Sequence, residues 1–399
     1  MAQHRLSNEF QLTAACCEWP ASPARDERLR ELSVGPIDWE LVLKLAERHR
    51  IQGLMHRALN EAAIDVPQRL RTFLTGAAEA IGTQSLLQSA ESARLQRLLG
   101  EHGIQCLFVK GIPLAILAYG TLGVKQAWDI DLLVAPEEAL AAIPLIKQAG
   151  YARSIPTEEN VPEERLSDWV AVSKETLWIH ERSGIVLELH TALVDNPALL
   201  PRLPVRSNAQ MVSIGSGIQL PTLGTDELFA YLCVHGAAHA WARLKWLADV
   251  GALLRKAGPA DVERLYRRSI ELGAGRSSAQ ALLLCSSLLS LPLPEKLSRE
   301  LRRDPVNGWL ERLAISAMAA HGAKELDHTL LGTVVINVSH MLLARGWRYK
   351  YGEIARKSIN PEDRFSMPLP RHLHFMYPVL AVPRWIRRRY RLSRYGQIW

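Results

Sequence analysis

The sequence has few cysteines, and the five present, Cys16, Cys17, Cys106, Cys233 and Cys285, show no CxxC spacing. An odd count without paired spacing argues against both a disulfide framework and a structural zinc site. Long hydrophobic runs are also missing. The most apolar stretch, 279–291, is broken by Gln280 and several serines before it reaches the roughly 18 residues a membrane span needs. The first residues, MAQHRLSNEFQL, lack the apolar core and small-residue cleavage site of a signal peptide. The expectation is a cytoplasmic protein with no membrane insertion. Internal repeats, low-complexity tracts and Gly/Ser linkers are absent as well. With 48% hydrophobic and 22% charged residues in 399, the chain is globular and long enough for two or three domains. The net charge of +7 is modest, but part of it is concentrated in RWIRRRYRLSR, 384–394. Such a segment suits nucleic acid, acidic lipid or an acidic partner, and equally a solvated amphipathic end helix.

Helical periodicity dominates the first hundred residues. Residues 38–63 carry apolar positions at helical spacing behind Asp38, a predicted N-cap, and 67–100 continues as one or two long helices with Leu86, Leu87, Leu95, Leu98 and Leu99 among its apolar positions. The pattern changes at Gly103. GIQCLFVKG reads as a short buried strand entering a glycine turn, and PLAILAYG as a short helix with Pro113 in its first turn. DIDLLV reads as a second strand, EEALAAIPLIKQAGY as a helix ended by Gly150, and TLWIHERSGIVLELH as a hairpin. From Thr225 on, helices return. The expected organisation is a helical region over 1–100, a mixed α/β core over 101–222 and a helical domain with a basic tail over 223–399, an α+β chain.

Within AWDIDLLV, 127–134, Asp129 and Asp131 interrupt a run that otherwise reads as a buried strand. Residues i and i+2 of a strand share a face, so the two carboxylates project together. Their mutual repulsion raises one pKa unless a cation neutralises both. Oxygen ligands of this kind suit magnesium or manganese. Glu188 interrupts the apolar strand IVLELH in the same way, with His190 on its face. If the two strands are neighbours, Glu188 can join the aspartates around one or two ions suited to phosphoryl or nucleotidyl transfer. Upstream, Lys110 and Gly111 of FVKGIPLAI supply what a phosphate needs: positive charge, close backbone approach and a following helix N-terminus.

FVKGIPLAILAYG, VKQAWDIDLLV and VLELH, in that order, resemble the uncharacterised nucleotidyltransferase family of the DNA polymerase β superfamily. Residues 227–254, ELFAYLCVHGAAHAWARLKWLADVGALL, are similar to that family's helical segment, with His235, His239, Trp241, Arg243, Leu244, Trp246 and Asp249 in place. The ending FSMPLPRHLHFMYPVLAVPRWIRRRY also resembles the family's C-terminus. The resemblance implies a minimal polymerase β-like nucleotidyltransferase fold, a mixed sheet flanked by helices. In it Asp129 and Asp131 hold Mg2+ or Mn2+, and Glu188 is the third carboxylate. Lys110-Gly111 stands where the superfamily usually has Gly-Ser. Lys125 stands where arginine is commoner, keeping the charge but losing the bidentate fork.

His190 either meets a ligand or orients Glu188. His235 and His239 share a helix face at i, i+4, but Gly236 occupies the glutamate position of HExxH, so a zincin is not indicated. Arg243 is the candidate helical contact to phosphate. Asp249 is a candidate general base for the acceptor, or a structural ion-pair partner.

The reading that these residues favour is a transferase of EC 2.7.7 type. It moves a nucleoside monophosphate from an NTP such as ATP to a hydroxyl or phosphate of a small molecule or peptide, and releases pyrophosphate. The resemblance extends this to natural-product settings, including lasso-peptide pathways. One alternative is an RNA-directed, tRNA-modifying transferase of toxin type, motivated by the basic terminus and marked by steep salt dependence. Another is a non-catalytic scaffold that binds a partner, against which the intact carboxylates argue.

Overall fold

A computed structural model describes residues 6–200, 208–319 and 330–358, with isolated positions between 365 and 380. The basic segment 384–394 lies outside the described residues. Five helices open the chain: α1 (Asn8–Ala15), α2 (Pro23–Ser33), α3 (Trp39–His49), α4 (Gln52–Glu61) and α5 (Gln68–Glu101). Ser7, Ser22 and Asp38 sit at the first three N-caps and accept from the amides of Phe10, Arg25 and Leu41, donors that a first turn otherwise leaves open. Asp38 thus caps as its position before the periodic stretch implied.

The 67–100 stretch is a single helix of 34 residues. Leu95 and Leu99 are buried, whereas Leu86 and Leu87 face solvent. At that level the buried side of α5 is polar. The Ser85 hydroxyl donates to the Leu122 carbonyl at 3.0 Å and the Gln88 amide to the Ala127 carbonyl at 3.3 Å. A loop carbonyl removed from water needs a donor, so a leucine there would leave the loop that leads into Asp129 unheld.

The central part runs β1 (Cys106–Phe108), α6 (Gly111–Tyr119), β2 (Asp129–Val134), α7 (Ala139–Gln148), β3 (Tyr151–Ile155), α8 (Leu166–Val172), β4 (Glu175–His180), β5 (Val186–His190), β6 (Ala209–Gly215) and β7 (Ile218–Leu223). Five strands form one sheet in the order β1-β2-β5-β4-β3. β2 and β5 are parallel and the other neighbours antiparallel. The β4–β5 hairpin is where ERSG suggested it, while β3 and the β6–β7 hairpin carry no strand in the sequence reading. That hairpin is tied to β1 by the Thr222 hydroxyl, which donates to the Phe108 carbonyl at 2.7 Å.

The sheet separates two cores. Ile130, Leu132, Leu187 and Leu189 join Leu99, Ile143, Ile146 and Trp178 on one face. With a period of two, the opposite face receives Asp129, Asp131, Glu188 and His190. Helices α9 (Thr225–Ala238), α10 (Leu244–Ala257), α11 (Pro259–Glu271), α12 (Gly275–Leu288), α13 (Glu295–Arg303), α14 (Pro305–Ala319), α15 (Leu330–Leu342) and α16 (Trp347–Ser358) complete the described chain. One continuous core combines both helical parts: Phe10, Leu45 and Met55 with Phe229, Leu247, Leu282 and Leu310, reaching Leu133 of the sheet. Among the described residues no helix is long and apolar enough to cross a membrane, and all five cysteines are free and buried.

Candidate active site

Asp131 lies directly across from Glu188 in the parallel β2–β5 pair, Asp129 is across from Val186, and Leu133 from His190. The parallel register therefore places the second aspartate and the glutamate side by side, with the first aspartate two residues away on the same face. Ligand atoms of Asp131, Glu188 and His190 all lie within 4.8 Å of one another. Lys110, the residue preceding α6, brings its Nζ to 2.6 Å from Asp131 Oδ1. Gly111 follows with φ of 58°, a left-handed conformation that glycine adopts without the steric penalty of a side chain. A Cβ there would stand 3.7 Å from the Asp129 carbonyl, so the turn lies close over the start of β2.

His190 is buried beneath the carboxylates. Its Nε2 is 3.2 Å from both Asp131 Oδ1 and Glu188 Oε2, and its Nδ1 is 3.2 Å from Glu175 Oε2. Burial opposes the charge on this imidazole, but Asp131, Glu188 and Glu175 prevail and lift its pKa to about 9. A charged ring can donate from both nitrogens, so in the metal-free site His190 bridges Asp131, Glu188 and Glu175. Burial would raise Asp131 too, yet Lys110 and His190 hold its carboxyl well below the usual range. For Asp129 the cations Lys110 and Lys245 are outweighed: burial, followed by the charge of Asp131, pushes its pKa up to about 6. Two cationic side chains thus face three carboxylates and leave Asp129 under-neutralised. This remaining negative charge and the hard oxygen donors fit a divalent cation held by Asp129, Asp131 and Glu188.

Around this cluster is a cleft of about 270 Å³. It is lined by the expected Lys110, Gly111, Lys125, Arg243 and Asp249, and also by Arg50, Trp128, Lys174, Glu175, His235, His239, Lys245 and Trp246. His190 lies below the floor. Asp249 of α10 accepts from Lys125 Nζ at 2.6 Å and from the Tyr119 hydroxyl at 2.8 Å, so both of its oxygens are engaged. The contacts that sequence reading missed come from distant segments. Arg50, with φ of 53° after α3, lies over the Trp128 ring at 5.3 Å, and Trp128 is 55% exposed. Lys174 pairs with Glu175 at 2.6 Å. Burial, Lys125 and Arg50 lower the Lys245 pKa to about 7. Only the lone apolar Trp128 before an acidic strand offered a local signal; the others carry no motif.

The turn between α9 and α10 delivers Arg243, Lys245 and Trp246 to the cleft. Ala240 and Trp241 both take positive φ, 49° and 53°, and the Trp241 amide donates to the Gly236 carbonyl at 2.8 Å. The fully buried Trp241 indole lies on Gly236, where a Cβ would meet the ring at 2.5 Å. The glycine at the HExxH glutamate position therefore has a packing reason.

Residues 35–290, well over half of the chain, match the model of a family described as uncharacterised nucleotidyltransferase. No curated protein and no solved structure matches the chain.

Proposed function

This chain belongs to the uncharacterised nucleotidyltransferase family, and we propose that it is a magnesium- or manganese-dependent enzyme of EC 2.7.7 type. It moves a nucleoside monophosphate from an NTP to an acceptor and releases pyrophosphate. The observation that carries this reading is the in-register pair Asp131 and Glu188, with Asp129 on the same face and His190 clamping both partners. A divalent ion bound by these three carboxylates supplies charge neutralisation for the triphosphate and its leaving group.

The chain's own groups do the rest. Lys110 and the N-terminal amides of α6 face the phosphates, and Arg243 and Lys245 line the same cleft. Asp249 holds Lys125 toward the cleft, its two oxygens accepting from Lys125 and Tyr119, and is read as a positioning residue. Trp128, exposed at the rim and backed by Arg50, offers an aromatic face to a nucleobase. The cleft's cations also suit an RNA phosphate. The observation that favours a small acceptor over RNA is the second chamber described below.

The test uses the full-length protein with magnesium, α-phosphorus-labelled NTPs and a host extract, followed by mass spectrometry of every labelled product. Transfer by wild type and its loss in Asp129→Asn and Asp131→Asn is the expected result. Equal labelling by the variants, or no saturable NTP binding by wild type, defeats the reading.

A further inference from the structure

Behind the cleft lies a second chamber of about 290 Å³. It shares Lys174, His235 and His239 with the cleft, so these side chains form the wall between the two spaces. Its apolar part comes from Leu193, Val234 and Leu343. Its charges are largely matched within the lining. Arg356 pairs with Glu353 at 2.9 Å and lies 3.8 Å from Asp195, while Asn196 donates to Glu353 at 3.1 Å. Lys174 is already bound to Glu175.

One of the chamber's histidines, His340, is neutral by geometry. His340 donates from Nε2 to the Ala238 carbonyl at 2.8 Å and accepts at Nδ1 from Lys357 at 2.7 Å; an imidazolium has no lone pair for that second bond. The His235 and His239 rings are 4.7 Å apart edge to face, and Trp246 stacks on His239 at 4.8 Å. Enclosure in the cleft wall, then Lys110 and other neighbouring cations, lowers the proton affinity of both rings. Each neutral ring offers one acceptor nitrogen at the boundary between chamber and cleft.

We propose that the chamber is the acceptor site, that it takes a neutral, hydroxyl-bearing small molecule, and that the neutral His235–His239 pair accepts a hydrogen bond from the hydroxyl and so positions its oxygen. The assignment rests on the nucleotidyltransferase reading above and narrows its acceptor. The charged side chains of the lining are paired and Lys357 is engaged by His340 and Asn337, so apolar walls with neutral imidazoles fit a hydroxylated organic molecule better than a phosphorylated acceptor or an RNA end. In the transfer, the acceptor oxygen bonds to the α-phosphorus and its proton passes to solvent water. The bond from α-phosphorus to the bridging oxygen breaks, and pyrophosphate leaves with that electron pair.

The test divides a host extract into neutral small molecules, anionic small molecules, protein and RNA, and offers each to the full-length protein with magnesium and α-phosphorus-labelled NTPs. Label in the neutral small-molecule arm is expected. Label confined to the other arms overturns the proposal while leaving nucleotidyl transfer in place, and no label in any arm overturns both. Two variants check the location. Ala238→Phe, at an exposed position lining only the second chamber, keeps magnesium-dependent NTP binding and loses transfer by about a hundredfold, the size of effect that follows from displacing a reacting group. His239→Leu removes that acceptor nitrogen and, at saturating NTP, lowers the transfer rate by about tenfold and raises the KM for the acceptor. Undiminished transfer in either variant overturns the proposal.

Discussion

Asp129 and Asp131 are two residues apart on one face, yet their replacement by asparagine shifts the stability of the metal-free protein in opposite directions. Asp131 holds Lys110 at 2.6 Å, a contact whose gross attraction is about 6 kcal/mol at an effective dielectric constant of 20. Removing one partner of a buried pair costs roughly 3–5 kcal/mol, because the other charge stays behind. His190 moderates this by releasing its proton, which places Asp131→Asn at about 3 kcal/mol of destabilisation, the low end of that range. Asp129 is the reverse case. Its pKa stands at about 6 against an ordinary 3.8, and at about 1.4 kcal/mol for each tenfold change in proton affinity its ionised form costs the fold up to roughly 3 kcal/mol.

The sign with pH follows. The Asp129 penalty is fully present above about pH 6 and is relieved as the folded form takes up a proton on the way down to 3.8. Near neutral pH with a chelator present, Asp129→Asn therefore melts a few degrees above wild type and Asp131→Asn about 5 °C below it. Below about pH 4 the Asp129→Asn advantage disappears. Added magnesium raises the wild-type melting temperature and leaves both variants unmoved. Differential scanning fluorimetry with and without chelator reads all three comparisons. If Asp129→Asn is as destabilising as Asp131→Asn in chelator, the charge account of the cluster is wrong.

Calorimetric Mn2+ binding by wild type weakens about tenfold for each pH unit below about 6, because the ion must displace the Asp129 proton; a flat profile contradicts Asp129 as a ligand. Gly236→Ala sets a methyl 2.5 Å from the Trp241 ring and lowers stability by about 1–3 kcal/mol in urea titrations, with NTP binding falling as the Arg243–Trp246 segment shifts. Asp249→Asn weakens the hold on Lys125 and raises the apparent Kd for NTP by about tenfold, as for loss of a charged hydrogen bond. At saturating NTP its transfer rate stays near wild type; a rate loss of about a hundredfold there would restore Asp249 as the general base.

Much of the site could be read along the chain because its acids and bases interrupt apolar strands. A carboxylate at every second position of a greasy run is costly without a purpose, and this marked Asp129, Asp131 and Glu188 before any contact was known. Helices were legible from period 3.6, and the β4–β5 turn from its glycine. Less legible were β3, whose residues Tyr151–Ile155 include two polar ones, and the β6–β7 hairpin, which follows a stretch without a motif. Leu86 and Leu87 misled in the opposite sense, since the loop before β2 needed hydrogen-bond donors from α5 more than it needed apolar surface.

By itself, the sequence determined the local chemistry: which strand carries acids, which turn carries Lys110 and Gly111, and which helix carries two histidines at i, i+4. Those properties depend on neighbours a few residues away, where backbone periodicity alone sets direction. Register was decided only in three dimensions, by the parallel pairing that puts Asp131 against Glu188. So were the charge states, because Lys110, His190 and Asp131 set one another's protonation across 20 to 80 residues of chain. The same holds for the two chambers sharing a histidine wall, since a cavity is bounded by side chains from unrelated segments and no local pattern encodes its shape.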